Sequence, residues 1–120
     1  MKYLCLGYHD EQVMASLPPA ERDALTRDSL AYLQVLRANG HVVSNTGLQP
    51  ASTAATLLYP GGSKATVTDG PFAETKEQLG GFVVIEAADL NHAIQLMSSL
   101  PCMRIGGALE IRPINEELTS

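Results

Sequence analysis

Two stretches of this chain are apolar on both strand parities. In Lys2 to Tyr8, residues Leu4, Leu6 and Tyr8 share one face while Tyr3, Cys5 and Gly7 share the other, because successive side chains of a strand point to opposite sides. Leu79 to Ala87 carries Phe82, Val83, Val84 and Ile85 without any alternation. Both read as central strands covered on both sides. Between them, Ala20 to Ala38 places Ala24, Leu25, Ala31, Tyr32, Val35 and Leu36 at helical spacing, with Arg22, Arg27, Gln34 and Arg37 elsewhere. After His9-Asp10-Glu11 a loop ends in Pro18-Pro19; Pro19 suits a first helical turn, Glu21 sits near the positive end of the dipole, and Asn39-Gly40 is a stop signal.

The remaining pattern is shorter. His41 to Gln49 reads as extended, and Ala54 to Tyr59 and Lys64 to Thr68 flank the turn Pro60-Gly61-Gly62-Ser63 as a hairpin. Asp89 is a natural N-cap for a helix to about Ser99 that buries Ala93, Ile94, Met97 and Leu100, and Pro101 ends it. A last strand, Ala108 to Ile114, puts Leu109 and Ile111 on one face and Glu110 and Arg112 on the other. The order predicts an α+β fold, a ferredoxin-like βαββαβ sandwich with an extra hairpin strand, over residues 1–120 as one domain. Two helices cover one sheet face only. The doubly apolar strands would then expose a large patch on a monomer, so a homodimer packed through its sheet faces is expected.

Composition narrows the function classes. The 120 residues are 45% hydrophobic and 18% charged, ordinary usage for a folded domain. No apolar run approaches the roughly 20 residues of a membrane helix, and the first residues do not resemble a signal peptide; a cytoplasmic protein without a membrane partner is expected. The net charge of −5 and the scattered basic residues argue against nucleic acid as a partner. Cys5 and Cys102 form no paired motif and read as reduced thiols. His9, His41 and His92 show no metal-ligand spacing, and no phosphate-loop, dinucleotide or nucleophile-elbow pattern is present. Neither metal nor cofactor is expected.

The densest candidate chemistry lies in Thr68 to Phe82, which joins charged side chains, turn residues and an aromatic between two strands. Asp69 and Glu74 could converge as a general acid and base, with Lys76 receiving an anionic group. Equally, Asp69 could close an Asx turn while Glu74 and Lys76 are solvated. Phe72 could line a pocket, or pack in the core or at a dimer contact. Gly80-Gly81 marks either a close approach of backbone to a ligand or tight packing. Arg104 and Arg112, near Glu110, could bind a carboxylate or form ion pairs. His9 ends the first strand beside Asp10, where an acid or base could face a cleft.

The run Thr68-Asp69-Gly70-Pro71-Phe72-Ala73-Glu74-Thr75-Lys76-Glu77-Gln78-Leu79-Gly80-Gly81-Phe82 resembles the signature of DGPF-domain proteins within the YCII-related family. Weaker likeness reaches Met1-Lys2-Tyr3-Leu4, the Pro101 and Arg104 pair, and Glu110-Ile111-Arg112-Pro113. The resemblance implies a ferredoxin-like, dimeric α/β barrel. It also implies either an enzyme with a His and an Asp in a cleft or a binding role beside extracytoplasmic-function sigma factors. The first helix holds no histidine, so only the Asp69 half of that pair carries over. The leading expectation is a dimer that binds an unknown small molecule, with cofactor-free acid/base chemistry of lyase or isomerase type at Asp69, Glu74 and His9 and ligand contacts from Phe72, Lys76, Arg104 and Arg112. The alternative is a non-catalytic module acting on a sigma factor.

Overall fold

The computed structural model describes residues 1–119. Strand β1 (Lys2–Asp10) is followed by a short helix α1 (Glu11–Ser16), the long helix α2 (Pro19–Ala38) and β2 (Val42–Gly47). The pair β3 (Ala55–Leu58) and β4 (Thr66–Asp69) then leads to β5 (Glu77–Glu86), α3 (Leu90–Met97) and β6 (Ala108–Pro113). The four-stranded sheet has the order β2-β5-β1-β6 and is antiparallel throughout. The two doubly apolar strands are therefore its centre. With α2 and α3 as the crossovers, this is the ferredoxin-like arrangement. The hairpin does not extend this sheet; β3 and β4 pair only with each other, as a second two-stranded sheet.

One face of the main sheet is closed by the helices. Tyr3, Cys5, Val83, Ile85 and Val42 meet Leu33 and Leu36 of α2, Ala93 and Met97 of α3, and Leu100. Cys5 and Ile85 are fully enclosed, as expected of small and branched apolar groups at the sheet centre. The opposite parity, Leu4, Leu6, Tyr8, Phe82 and Val84, is only half-buried.

Three expectations need correction. The buried stripe of α2 is Leu25, Ser29, Leu33 and Leu36, and Val35 is 61% exposed. Ser29, a polar residue at a buried position, breaks the apolar signal and shifts the apparent stripe by one residue. In α3 only Ala93 and Met97 are buried within the helix, while Ile94 faces out. Glu11–Ser16 is helical and not a loop: the Asp10 carboxylate accepts a hydrogen bond from the Gln12 amide at 2.9 Å and caps it. Asp89 caps α3 as expected, accepting from the His92 amide at 2.8 Å.

The molecule is flat, 45 × 43 × 19 Å, with a radius of gyration of 16.1 Å. A closely packed chain of this length would have roughly 14 Å. The β3–β4 arm pairs outside the main sheet, and none of its strand residues is buried.

Candidate functional site

The main sheet has a gap in its side chains on the helix-covered face. Register places Gly81 of β5 opposite both Gly7 of β1 and Gly47 of β2, so three neighbouring strands present bare backbone in one row. A Cβ at Gly81 would lie 2.6 Å from the Thr46 carbonyl oxygen, so close strand approach requires glycine there. At Gly7 the nearest atoms would be 3.7 Å away or more, so that glycine simply leaves space. Beneath α2 the space becomes a cavity of about 270 Å³, floored by the glycines and roofed by Leu25, Ser29, Leu33, Leu100 and Met103.

His9 enters this cavity through a register shift. The β1–β5 pairing slips between Gly7 and Tyr8, which leaves Gly80 beside the imidazole. A Cβ on Gly80 would come within 2.1 Å of His9 Cε1, so the ring rests directly on β5 backbone. The next residue, Asp10, caps α1 and also meets Lys76 Nζ at 3.8 Å. Glu11 accepts from the Ala51 amide at 3.1 and 3.2 Å, tying α1 to the segment after β2. His9 thus ends a strand whose continuation is held at two points.

The lining holds no Asp, Glu, Lys or Arg. Its polar groups are His9, Thr26, Ser29, Asn45, Thr46 and two thiols. Burial pushes the Cys5 thiol up to about 11. Burial also raises Cys102, partly offset by the Ser29 hydroxyl beside it. Ser29 Oγ is buried and has no hydrogen-bond partner among the described residues. Both thiols stay protonated at neutral pH. No group of three or more His, Cys, Asp or Glu side chains suited to a metal ion occurs among the described residues.

Of the residues singled out from sequence, His9, Gly80 and Gly81 line the cavity together with the two cysteines, whereas Asp69, Phe72, Glu74, Lys76, Arg104 and Arg112 do not. Asp69 ends β4, exposed, and its carboxylate forms neither an Asx turn nor any other hydrogen bond to a described residue. Glu74 and Lys76 are exposed, and Phe72 is 82% exposed. Arg104 pairs with Asp28 of α2 at 3.0 Å, and Arg112 pairs with Glu110 on its own strand. The arginines therefore belong to two separate ion pairs. Sequence reasoning missed Gly7, Gly47 and Ser29. The available signal was glycine on the same parity as Cys5 and Val83, where a core strand should carry side chains.

A family model described as YCII-related domain matches residues 1–117. An uncharacterized protein of Rhizobium meliloti (strain 1021) is 36% identical over 115 residues, covering 95% of this chain and 92% of the relative. Among solved structures, 5-chloro-2-hydroxyhydroquinone dehydrochlorinase (TftG) from Burkholderia phenoliruptrix AC1100, in complex with 2,5-dihydroxybenzoquinone, is similar with a TM-score of 0.59 and 16% identity. The match covers 96% of this chain and 94% of that one. At that identity the likeness establishes the shared fold.

Proposed function

This chain belongs to the YCII-related family, and we propose that its sheet–helix cavity binds a small neutral ring compound on which His9 performs cofactor-free acid/base chemistry. The observation that carries this reading is an uncharged cavity into which one imidazole is built over a glycine. An apolar cavity of ~150 Å³ holds benzene, so 270 Å³ suits a ring with a few substituents. A charged ligand would lose its hydration without gaining a counter-charge, which disfavours it. The dehydrochlorinase with the same fold acts on a small ring compound, which supports the substrate class. In an elimination, His9 would accept a proton while the electron pair it leaves behind forms the new π bond and expels an anion. An imidazole can accept a proton at one ring nitrogen and return it afterwards, which suits that role.

The test is a thermal-shift and turnover screen with small phenols, hydroxyquinones and their chlorinated forms on the parent protein, Gly7→Val and His9→Gln. A ligand selective for the folded state raises the parent's melting temperature. The valine is expected to fill the cavity and abolish the shift without unfolding the chain. His9→Gln is expected to keep binding and lose turnover by about 10²–10⁴-fold. A shift that survives in Gly7→Val, or no shift with any compound, would overturn the cavity as the binding site.

A further inference from the structure

On the helix-covered face, the paired residues Asn45, Val83 and Cys5 form a row across β2, β5 and β1, next to the glycine row of Gly47, Gly81 and Gly7. Residues paired directly across strands share a face, and Val83 and Cys5 belong to the core. Asparagine is depleted in strands, and an apolar side chain is the ordinary occupant of such a row. Asn45 instead lines the cavity beside the bare backbone.

Its amide has a defined orientation. Arg37 Nη2 donates to Asn45 Oδ1 at 2.8 Å, and Arg37 Nη1 donates to the Val43 carbonyl oxygen at 3.3 Å. A guanidinium carries donors only, so the atom it meets is the amide oxygen. Arg37 lies in the last turn of α2, one turn beyond Leu33, and is not part of the cavity lining. The oxygen is therefore drawn toward the helix end, and the N–H groups on the other arm of the planar amide are left for the cavity side. The charged partner also polarises the amide, which strengthens what those N–H groups donate. Ser29 Oγ lines the cavity unpartnered as well, but a hydroxyl donates and accepts alike and so sets no polarity.

We propose that Asn45 determines specificity: its Nδ2 donates to an acceptor oxygen of carbonyl type on the ring compound, and Arg37 is the positioning residue that keeps the amide turned that way. His9 lies on β1 beyond the glycine row, with β5 between it and β2. An oxygen held by Asn45 thus turns the far edge of the ring toward the imidazole. This inference rests on the reading of the cavity as the binding site and narrows its ligand from a neutral ring to a neutral ring bearing an acceptor oxygen.

Isothermal titration with acetophenone and with 2-phenylpropene, which replaces the C=O by C=CH2 at nearly equal shape, tests it. One hydrogen bond of ordinary worth gives the ketone about a tenfold advantage in the parent protein. Asn45→Ala is expected to abolish that advantage while 2-phenylpropene binds as before. Asn45→Asp, which keeps the shape and a partner for Arg37 but presents an acceptor, is expected to reverse it. Arg37→Met should reduce the advantage about threefold by freeing the amide to turn, and Arg37→Lys should restore it. A purely structural role for either residue would weaken both ligands alike and leave their ratio unchanged. A parent protein that binds the two probes equally, or an advantage that survives Asn45→Ala, would overturn the role of Asn45 and leave the cavity in place. A parent protein that binds neither probe, or undiminished binding of both in Gly7→Val, would overturn the cavity and this inference with it.

Discussion

The four-stranded sheet and the β3–β4 arm are built from similar residue types but satisfy them differently. In the sheet, Val83 and Ile85 meet helix side chains of the same chain and disappear from solvent. In the arm, Leu57, Tyr59 and Val67 have no such partners and stay more than half exposed. The lesson is that apolar alternation marks a surface to be covered without saying which molecule covers it. The cavity adds a third possibility, a place where the core face itself has been left open by glycine.

The largest test of this contrast is truncation in each region. Ile85→Ala should cost about 2–5 kcal/mol, because it opens a fully enclosed site. Val67→Ala should cost under about 0.5 kcal/mol. Chemical denaturation of both variants checks this; equal losses would show that the arm packs within its own chain.

A second, smaller effect is confined to the sheet and depends on pH. The Cys5 thiol ionises near 9.0 in the unfolded chain and near 11 when folded. Above pH 9 the unfolded state gives up this proton and the folded state keeps it, so unfolding becomes easier as pH rises to 11. The loss is about 2–3 kcal/mol. Denaturation at pH 8 and pH 10.5 should show a correspondingly smaller drop in Cys5→Ala than in the parent. The smallest effect is at the arm's root, where Asp69 is exposed and unbonded. Asp69→Asn should shift stability by under about 0.5 kcal/mol and leave ligand binding unchanged. Loss of binding in that variant would move the site to the signature loop.

Legibility in the sequence follows the same division. β1 and β5 were readable as central strands because neither parity is polar, and α3 was readable from Asp89 onward because the cap and the apolar positions agree. The helix α1 was not, since Glu11-Gln12-Val13-Met14-Ala15-Ser16 buries no residue and so lacks a stripe; only Asp10 as its cap announced it. The cavity was hidden for another reason. Gly7, Gly47 and Gly81 are far apart along the chain, and only strand register makes them neighbours. His9 stood out at a strand end, but what it faces depends on the slip beside Tyr8. The signature loop drew attention through its density of charged residues, which the structure turns outward. For Phe72, sequence left core, dimer contact and pocket open, and its exposure rules out the core.

Because the cavity floor is backbone, its shape is locked to strand pairing, while most side chains that a ligand would meet besides His9 come from the roof. Leu25, Ser29 and Leu33 of α2 and Met103 can change without altering the register that holds Gly81 against Thr46. A library restricted to those roof positions should therefore retune ligand preference within an intact fold, whereas diversity introduced at Gly80 or Gly81 would be spent on chains that no longer assemble the sheet.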